Sequence, residues 1–200
     1  METIQFVLAF CLGLGLSAAC GFRVFIPPLA MSLAAMNGIL ELSPDWQWVG
    51  SPLAVMLLSA ATLVEILAYF IPWVSNVLDS VELIAAPIAG MLVTASSLAM
   101  AGDVNPVVLW AIAAIVGGGT AELVEGTSVM GRLAASTATG GVGGPVVGII
   151  ELLTSAVLSL LAILAPILAL IVVLVLVIYC WRRARRIFLR RKRSRNISSD

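Results

Sequence analysis

Residues 152–181 form a run of thirty without one charged side chain, and nine of the chain's 11 basic residues follow it in the last 19 positions. A helix rises 1.5 Å per residue, so about 20 apolar residues cross roughly 30 Å of hydrocarbon and this run is more than long enough. The flank sets its sense. Lys and Arg collect on the cytoplasmic side of a span, which predicts a cytoplasmic C-terminus and a basic segment suited to anionic lipid headgroups. A chain carrying such a segment folds in a bilayer, where no water satisfies the backbone and helices or closed barrels are the available structures.

The remaining sequence has the same character. It is 61% hydrophobic and 11% charged, with mean hydropathy +1.12, whereas a soluble domain carries about 25% charged residues. The net charge of zero sums two unlike parts: residues 1–181 hold ten acidic residues against two basic ones, Arg23 and Arg132, and the tail supplies the other nine. The longest polar connection, 37–50, is too short for a separate domain, so the expected organisation is one transmembrane domain over 1–181 and a basic tail over 182–200. That connection carries Glu41 and Asp45 and no basic residue, which is compatible with the outer face.

Several chemistries are disfavoured. The chain has no His, and Cys11, Cys20 and Cys180 sit in apolar runs without a C-x-x-C pair, so neither metal catalysis nor a cofactor is indicated and the thiols read as small hydrophobes. Gly117-Gly118-Gly119 lacks the lysine of a phosphate-binding loop. Only the tail could attract nucleic acid, and nothing else supports such binding. The apolar N-terminus lacks the basic start of a signal peptide and is expected to remain as a helix.

Apolar runs fall at about 4–20, 24–36, 52–73, 83–101, 107–121 and 146–181. The predicted fold is an all-α polytopic membrane bundle of four to six crossings. The runs at 24–36 and 107–121 are short, as half-helices or re-entrant segments would be, while 146–181 is too long for one span. It is expected either to break near Pro166 or to enter as a half-helix around Pro145. Trp46, Trp48, Trp73, Trp110 and Trp181 lie near run ends, where headgroups favour them.

Two of these runs are broken in a similar way. In the first, Gly21, Arg23, Pro27 and Pro28 interrupt an apolar stretch; in the second, Ser136-Thr137-Ala138-Thr139-Gly140-Gly141-Val142-Gly143-Gly144-Pro145 does so. Each shows Ser, three small residues, Gly and then Pro, a weak match of the kind an internal repeat leaves. Non-helical backbone at membrane depth survives where it is buried in protein or lines water, so paired breaks point to a polar site between them, with helix N-termini offered to an anion. A plain surface loop and glycine-mediated helix packing remain the alternative. Arg23, Glu65 and Glu151 fall inside apolar runs, at a cost of about 2.5–3.5 kcal/mol for a lone charge on insertion scales, so partners are expected and Arg23 with Glu65 or Glu151 is the candidate pair. Asn76 and Asp79, three residues apart beside Pro72, suit a helix cap, or the lining of a vestibule.

The segments G-L-S-A-A-C-G-F-R-V-F-I-P-P-L (15–29), Y-F-I-P-W-V-S-N-V-L-D (69–79) and S-T-A-T-G-G-V-G-G-P-V-V-G-I-I-E (136–151) together resemble a bacterial family described as domain of unknown function 4126. The likeness covers about residues 3–165 and leaves the tail outside. It implies a multi-pass protein of the bacterial inner membrane with no assigned activity, whose pattern has Asp where this chain has Ser75 and Asn where it has Gly144. The functional expectation is a small transporter or channel-like protein, not an enzyme, in which Arg23, Glu65, Thr139 and Glu151 line a polar site for a small anion or protons. The rival expectation is an accessory protein whose glycine-rich faces pack against partners, a second copy of the chain included.

Overall fold

The computed structural model describes residues 2–178 apart from 70 and 103. The basic tail, Trp181 and Cys180 therefore lie outside the described residues, as do the side chains of Trp73 and Asn76.

The all-α polytopic bundle is observed. Its elements are α1 (Glu2–Cys20), α2 (Ile26–Met36), a 3-10 helix (Pro44–Gly50), α3 (Pro52–Ala68), α4 (Pro72–Ala99), α5 (Pro106–Ile112), a π-helical stretch (Ala113–Gly118), α6 (Gly119–Ala138), α7 (Gly143–Leu164) and α8 (Pro166–Ile178). Proline opens many of them, since the first turn needs no amide donor and a fixed φ suits it. Ser51 and Asn105 complete two starts by accepting from the amides of Ala54 and Val107 at 3.2 and 2.9 Å. Among the described residues, four helices are long and apolar enough to cross a membrane, or five if the pair bent by 56° at Ser51 counts as one span. The protein is membrane-embedded.

Three boundaries differ from the sequence expectation. α4 starts at Pro72 and not near 83, so the expected run 52–73 ends early, at Ala68. The run 107–121 is no half-helix: α5, the π-helical stretch and α6 join into one span of 33 residues, Pro106–Ala138. Pro145 does not divide its run either, because α7 begins at Gly143 and passes straight through it in the first turn, where proline is tolerated. The long run breaks instead at Ala165, ahead of Pro166.

Small residues bring the helices close. A Cβ on Gly13 would lie 3.0 Å from the Thr94 backbone, one on Gly15 would lie 2.8 Å from Ala162 and 3.1 Å from Ala169, and one on Gly90 would lie 2.9 Å from the Gly117 carbonyl. Such contacts replace the hydrophobic drive that lipid removes. Cys11 and Cys20 are buried and unbridged in the same core. These pairings run α1 antiparallel to α4 and to α7–α8. The start of α1, the 100–105 connection and Ile178 consequently share one face. Trp46 stacks on Trp48 and lies 6.4 Å from Trp110 at the start of α5, which adds 37–51 to that face. The acidic 37–50 stretch and Ile178 therefore share one side of the bundle.

The first break is deep. Gly21 packs against Val124 and Glu125, and Glu125 precedes the α6 end at Ala138 by 13 residues, about 20 Å. α1 and α2 thus form a re-entrant hairpin that turns inside the bundle and returns to the face it came from.

Candidate functional site

The re-entrant turn 21–25 needs partners, because α1 ends at Cys20 and α2 begins only at Ile26. The amides of Phe22 and Arg23 still donate to the Ala19 carbonyl at 3.1 Å. Those of Val24 and Phe25 cannot, and Glu65 on α3 accepts both, at 2.8 and 3.3 Å. Glu65 is therefore a helix cap delivered from another helix, and the amide donors predicted to meet an anion at the start of α2 are already taken. Pro27 and Pro28 occupy the first turn beyond them.

Arg23, 2% exposed, points from this turn toward α7. Its Nη2 donates to the Gly148 carbonyl at 2.7 Å and lies 4.0 Å from Glu151 Oε2, and its guanidinium stacks 3.5 Å above the Tyr69 ring. A Cβ on Gly148 would come within 3.0 Å of that nitrogen, so glycine there lets the arginine reach the backbone. Nε and Nη1 of Arg23 are buried without a hydrogen-bond partner.

On the other side of Tyr69 stands Arg132, from α6. It donates to the Tyr69 hydroxyl at 2.5 Å, to Glu151 Oε2 at 2.9 Å and to Glu125 Oε1 at 2.9 Å, and pairs with Asp79 at 3.3 Å and Glu82 at 3.8 Å. The Tyr69 hydroxyl contacts Glu82 Oε2 and Asp79 Oδ1, and Ser128 donates to Glu151 Oε1. Glu82 also faces Glu65, which makes the two arginines part of one acidic field. Five carboxyl groups thus surround two guanidinium groups. Glu82 Oε1, Glu125 Oε2 and Arg132 Nε, all buried, have no partner. A static pair buried in low dielectric is normally matched group for group, since each unmatched charge costs several kcal/mol.

Arg23, Glu65 and Glu151 are thus brought together, with Asp79 at the rim. Thr139 is not. It ends α6 on the exposed surface, where its hydroxyl donates to the Ala135 carbonyl and accepts from the Gly143 amide, so it closes the α6–α7 turn. Gly140 and Gly141, with φ of 65° and 104° and open space around them, form the left-handed part of that turn. The second break is accordingly a surface hairpin and the first a buried one. Pro145, just after it, reaches a small cavity beside Arg23. Asp79 is two turns inside α4 and is no cap; the ion pair with Arg132 accounts for it.

Sequence reasoning missed Arg132, Glu125, Glu82, Tyr69 and Ser128. Helical spacing was the available signal: Glu125, Ser128 and Arg132 at i, i+3, i+7 share one face of α6, and Asp79 and Glu82 share one of α4.

Residues 10–186 match the model of the family described as domain of unknown function (DUF4126). The chain belongs to that family. The DUF4126 match takes in every residue of this polar network and reaches the first basic residues of the tail, further than the sequence likeness suggested. No curated protein and no solved structure matches the chain.

Proposed function

We propose that this DUF4126 protein is a small, non-enzymatic transporter of the bacterial inner membrane, whose buried acidic network takes up and releases protons while Arg23 holds a small anion. The supporting observation is the imbalance of five carboxyl groups to two guanidinium groups, with acceptor and donor atoms left unpartnered in both kinds of group. In low dielectric the surplus is neutralised by protons, and protons shared among neighbouring carboxyls are exchangeable ones. The re-entrant turn supports the same reading, because irregular backbone at depth accompanies transport sites.

One observation favours the rival reading of a structural lock: Arg132 ties α3, α4, α6 and α7 together, and the cavity beside Arg23 measures about 20 Å³, room for one water. The transport reading therefore takes this arrangement as the occluded one, with water admitted only on opening. Purified protein in liposomes loaded with a pH-sensitive dye, under an imposed membrane potential, tests the choice. We expect proton flux that Glu82→Gln, Glu125→Gln and Arg23→Ala each abolish while the protein stays folded. Flux at the empty-liposome level, or flux indifferent to all three substitutions, leaves the lock.

The remaining placements follow from the tail. A cytoplasmic tail bound to anionic lipid puts the N-terminus and the tryptophan-bearing connection 37–51 on the cytoplasmic side. Self-association has a specific support. Glu122 is exposed 16 residues from either end of the 33-residue span, flanked by Gly119 and Gly126 with no neighbour within 4 Å. A carboxyl on a lipid-facing surface finds its partner in another helix, and two copies meeting there exchange reciprocal carboxyl hydrogen bonds.

A further inference from the structure

The cavity beside Arg23 is a crevice between α3 and α7, with Ile66 and Tyr69 on one wall and Gly148, Ile149 and Leu152 on the other. Its lips face hydrocarbon: Leu63 and Leu67 on α3 and Val146, Ile149 and Leu153 on α7 are all exposed large apolar residues. Apart from the arginine the walls are almost wholly apolar. An ion arriving from water would shed its hydration shell along them with nothing to replace it until it met the guanidinium.

At the floor, Arg23 keeps two nitrogens without partners, Nε and Nη1, which carry three N–H bonds between them. They are buried, already charged and already desolvated, the condition in which a charge-assisted bond is strongest. Behind them stands Glu151, 4.0 Å from Nη2, and the rest of the acidic field. That field disfavours doubly charged anions. It accepts a ligand that arrives neutral and becomes singly charged only at the arginine.

We propose that the crevice between α3 and α7 binds the carboxyl group of an amphiphile dissolved in the bilayer, a long-chain fatty acid being the simplest, with the acyl chain lying over the apolar lips. This rests on the transport reading only in sharing Arg23. The acid enters uncharged from the hydrocarbon, and its O–H proton passes to an ionised carboxylate of the network, Glu151 being nearest. The products are the bound carboxylate on Arg23 and a protonated glutamate; no other bond forms or breaks. The head displaces the one water the cavity accommodates, and the chain requires Ile66 and Leu152 to turn outward.

Equilibrium binding to the full chain in nanodiscs of zwitterionic lipid tests this, with palmitate labelled with carbon-13 at the carboxyl as probe. We expect saturable binding and a carboxyl shift showing the ionised form. Arg23→Gln and the lip-blocking Ile149→Trp should each weaken it at least tenfold, and Arg23→Lys should restore part of it. Acetate tests the aqueous source: half-saturation at concentrations like those of palmitate overturns a bilayer source in favour of a soluble carboxylate. Absence of palmitate binding, or binding to Arg23→Gln or Ile149→Trp as tight as to the unsubstituted chain, overturns the site. The Ile149→Trp arm keeps the test decisive if Arg23→Gln fails to fold, because that side chain lies at the lipid surface. No gradient is applied, so palmitate binding without proton flux would sink the transport reading alone, and flux without binding would sink the crevice alone.

Discussion

Replacing Arg132 with Met removes the centre of the network while keeping most of the side chain's volume. The guanidinium makes three hydrogen bonds, at 2.5, 2.9 and 2.9 Å, with the Tyr69 hydroxyl, Glu151 and Glu125, and two further ion pairs at 3.3 and 3.8 Å. Deleting one partner of a buried ion network costs about 3–5 kcal/mol, because the opposite charges stay behind undersatisfied. With four carboxyl groups left behind, the expected loss is at the top of that range. Arg23→Met gives the internal comparison: Arg23 makes one hydrogen bond, to the Gly148 carbonyl at 2.7 Å, one ring contact, and one ion pair at the long distance of 4.0 Å, to Glu151. A single bond from a charged donor is worth about 1.5–3 kcal/mol, which puts that loss near 2 kcal/mol. The gap of about 3 kcal/mol corresponds to roughly a hundredfold in the unfolding equilibrium. Reversible unfolding in mixed micelles by added SDS, followed by tryptophan fluorescence, measures both. A cycle adding Glu125→Gln should return about 1–2 kcal/mol to Arg132→Met, since the two are coupled through one contact. An Arg132→Met protein as stable as Arg23→Met would refute the reasoning, by showing that water already serves the centre.

Three further outcomes follow from the packing. Gly21→Ala places a methyl 2.6 Å from Val124 Cβ and 3.0 Å from the Glu125 amide, and should cost about 1–3 kcal/mol, whereas Gly126→Ala, with nothing within 4 Å, should be neutral or stabilising; the same SDS titration compares them. Single cysteines introduced at Gln47 and Gly141 should react with an impermeant maleimide from opposite sides of sealed vesicles, because the 37–51 and 139–142 connections lie at opposite ends of the Pro106–Ala138 span; labelling from one side contradicts that span as a single crossing. Glu122→Leu should lower self-association measured by energy transfer between labelled copies in dilute bilayers, and unchanged transfer removes α6 as the contact face.

The fold was legible where the signal is local. Apolar runs and the break before Pro166 are set by the few residues around them and stand out in the sequence, with Pro145 as the rival place for that break; the start of α4 at Pro72 does not, because Asp79 and Glu82 interrupt the apolar signal behind it. The short run 107–121 misled because the polar, glycine-rich residues of α6 lower its hydropathy; Glu125, Ser128 and Arg132 among them face the network, and periodicity of charge would have revealed this better than mean apolarity. The two breaks looked alike for a similar reason. Gly and Pro mark a departure from helix but carry no information about depth, and only the contact of Gly21 with Val124 and Glu125 puts one turn inside the bundle and leaves Gly140 and Gly141 outside. Arg23, Glu65 and Glu151 stood out as lone charges in apolar runs. Tyr69 did not, because an aromatic at the end of a span is ordinary in headgroups, and only the third dimension puts its ring between two guanidinium groups.

The bond from Arg23 to Gly148 spans 125 positions of sequence. A ribosome adding about 5–20 residues per second needs roughly 6–25 s to make that length, so the hairpin tip is released long before its acceptor exists. During that interval a guanidinium with no mate must be kept out of oil by water, by the insertion machinery or by staying near the surface. The loop cannot dock until α3 supplies Glu65, nor lock until α7 emerges. Maturation of this protein consequently runs late: its first two helices are the earliest to be synthesised and among the last to reach their final seats.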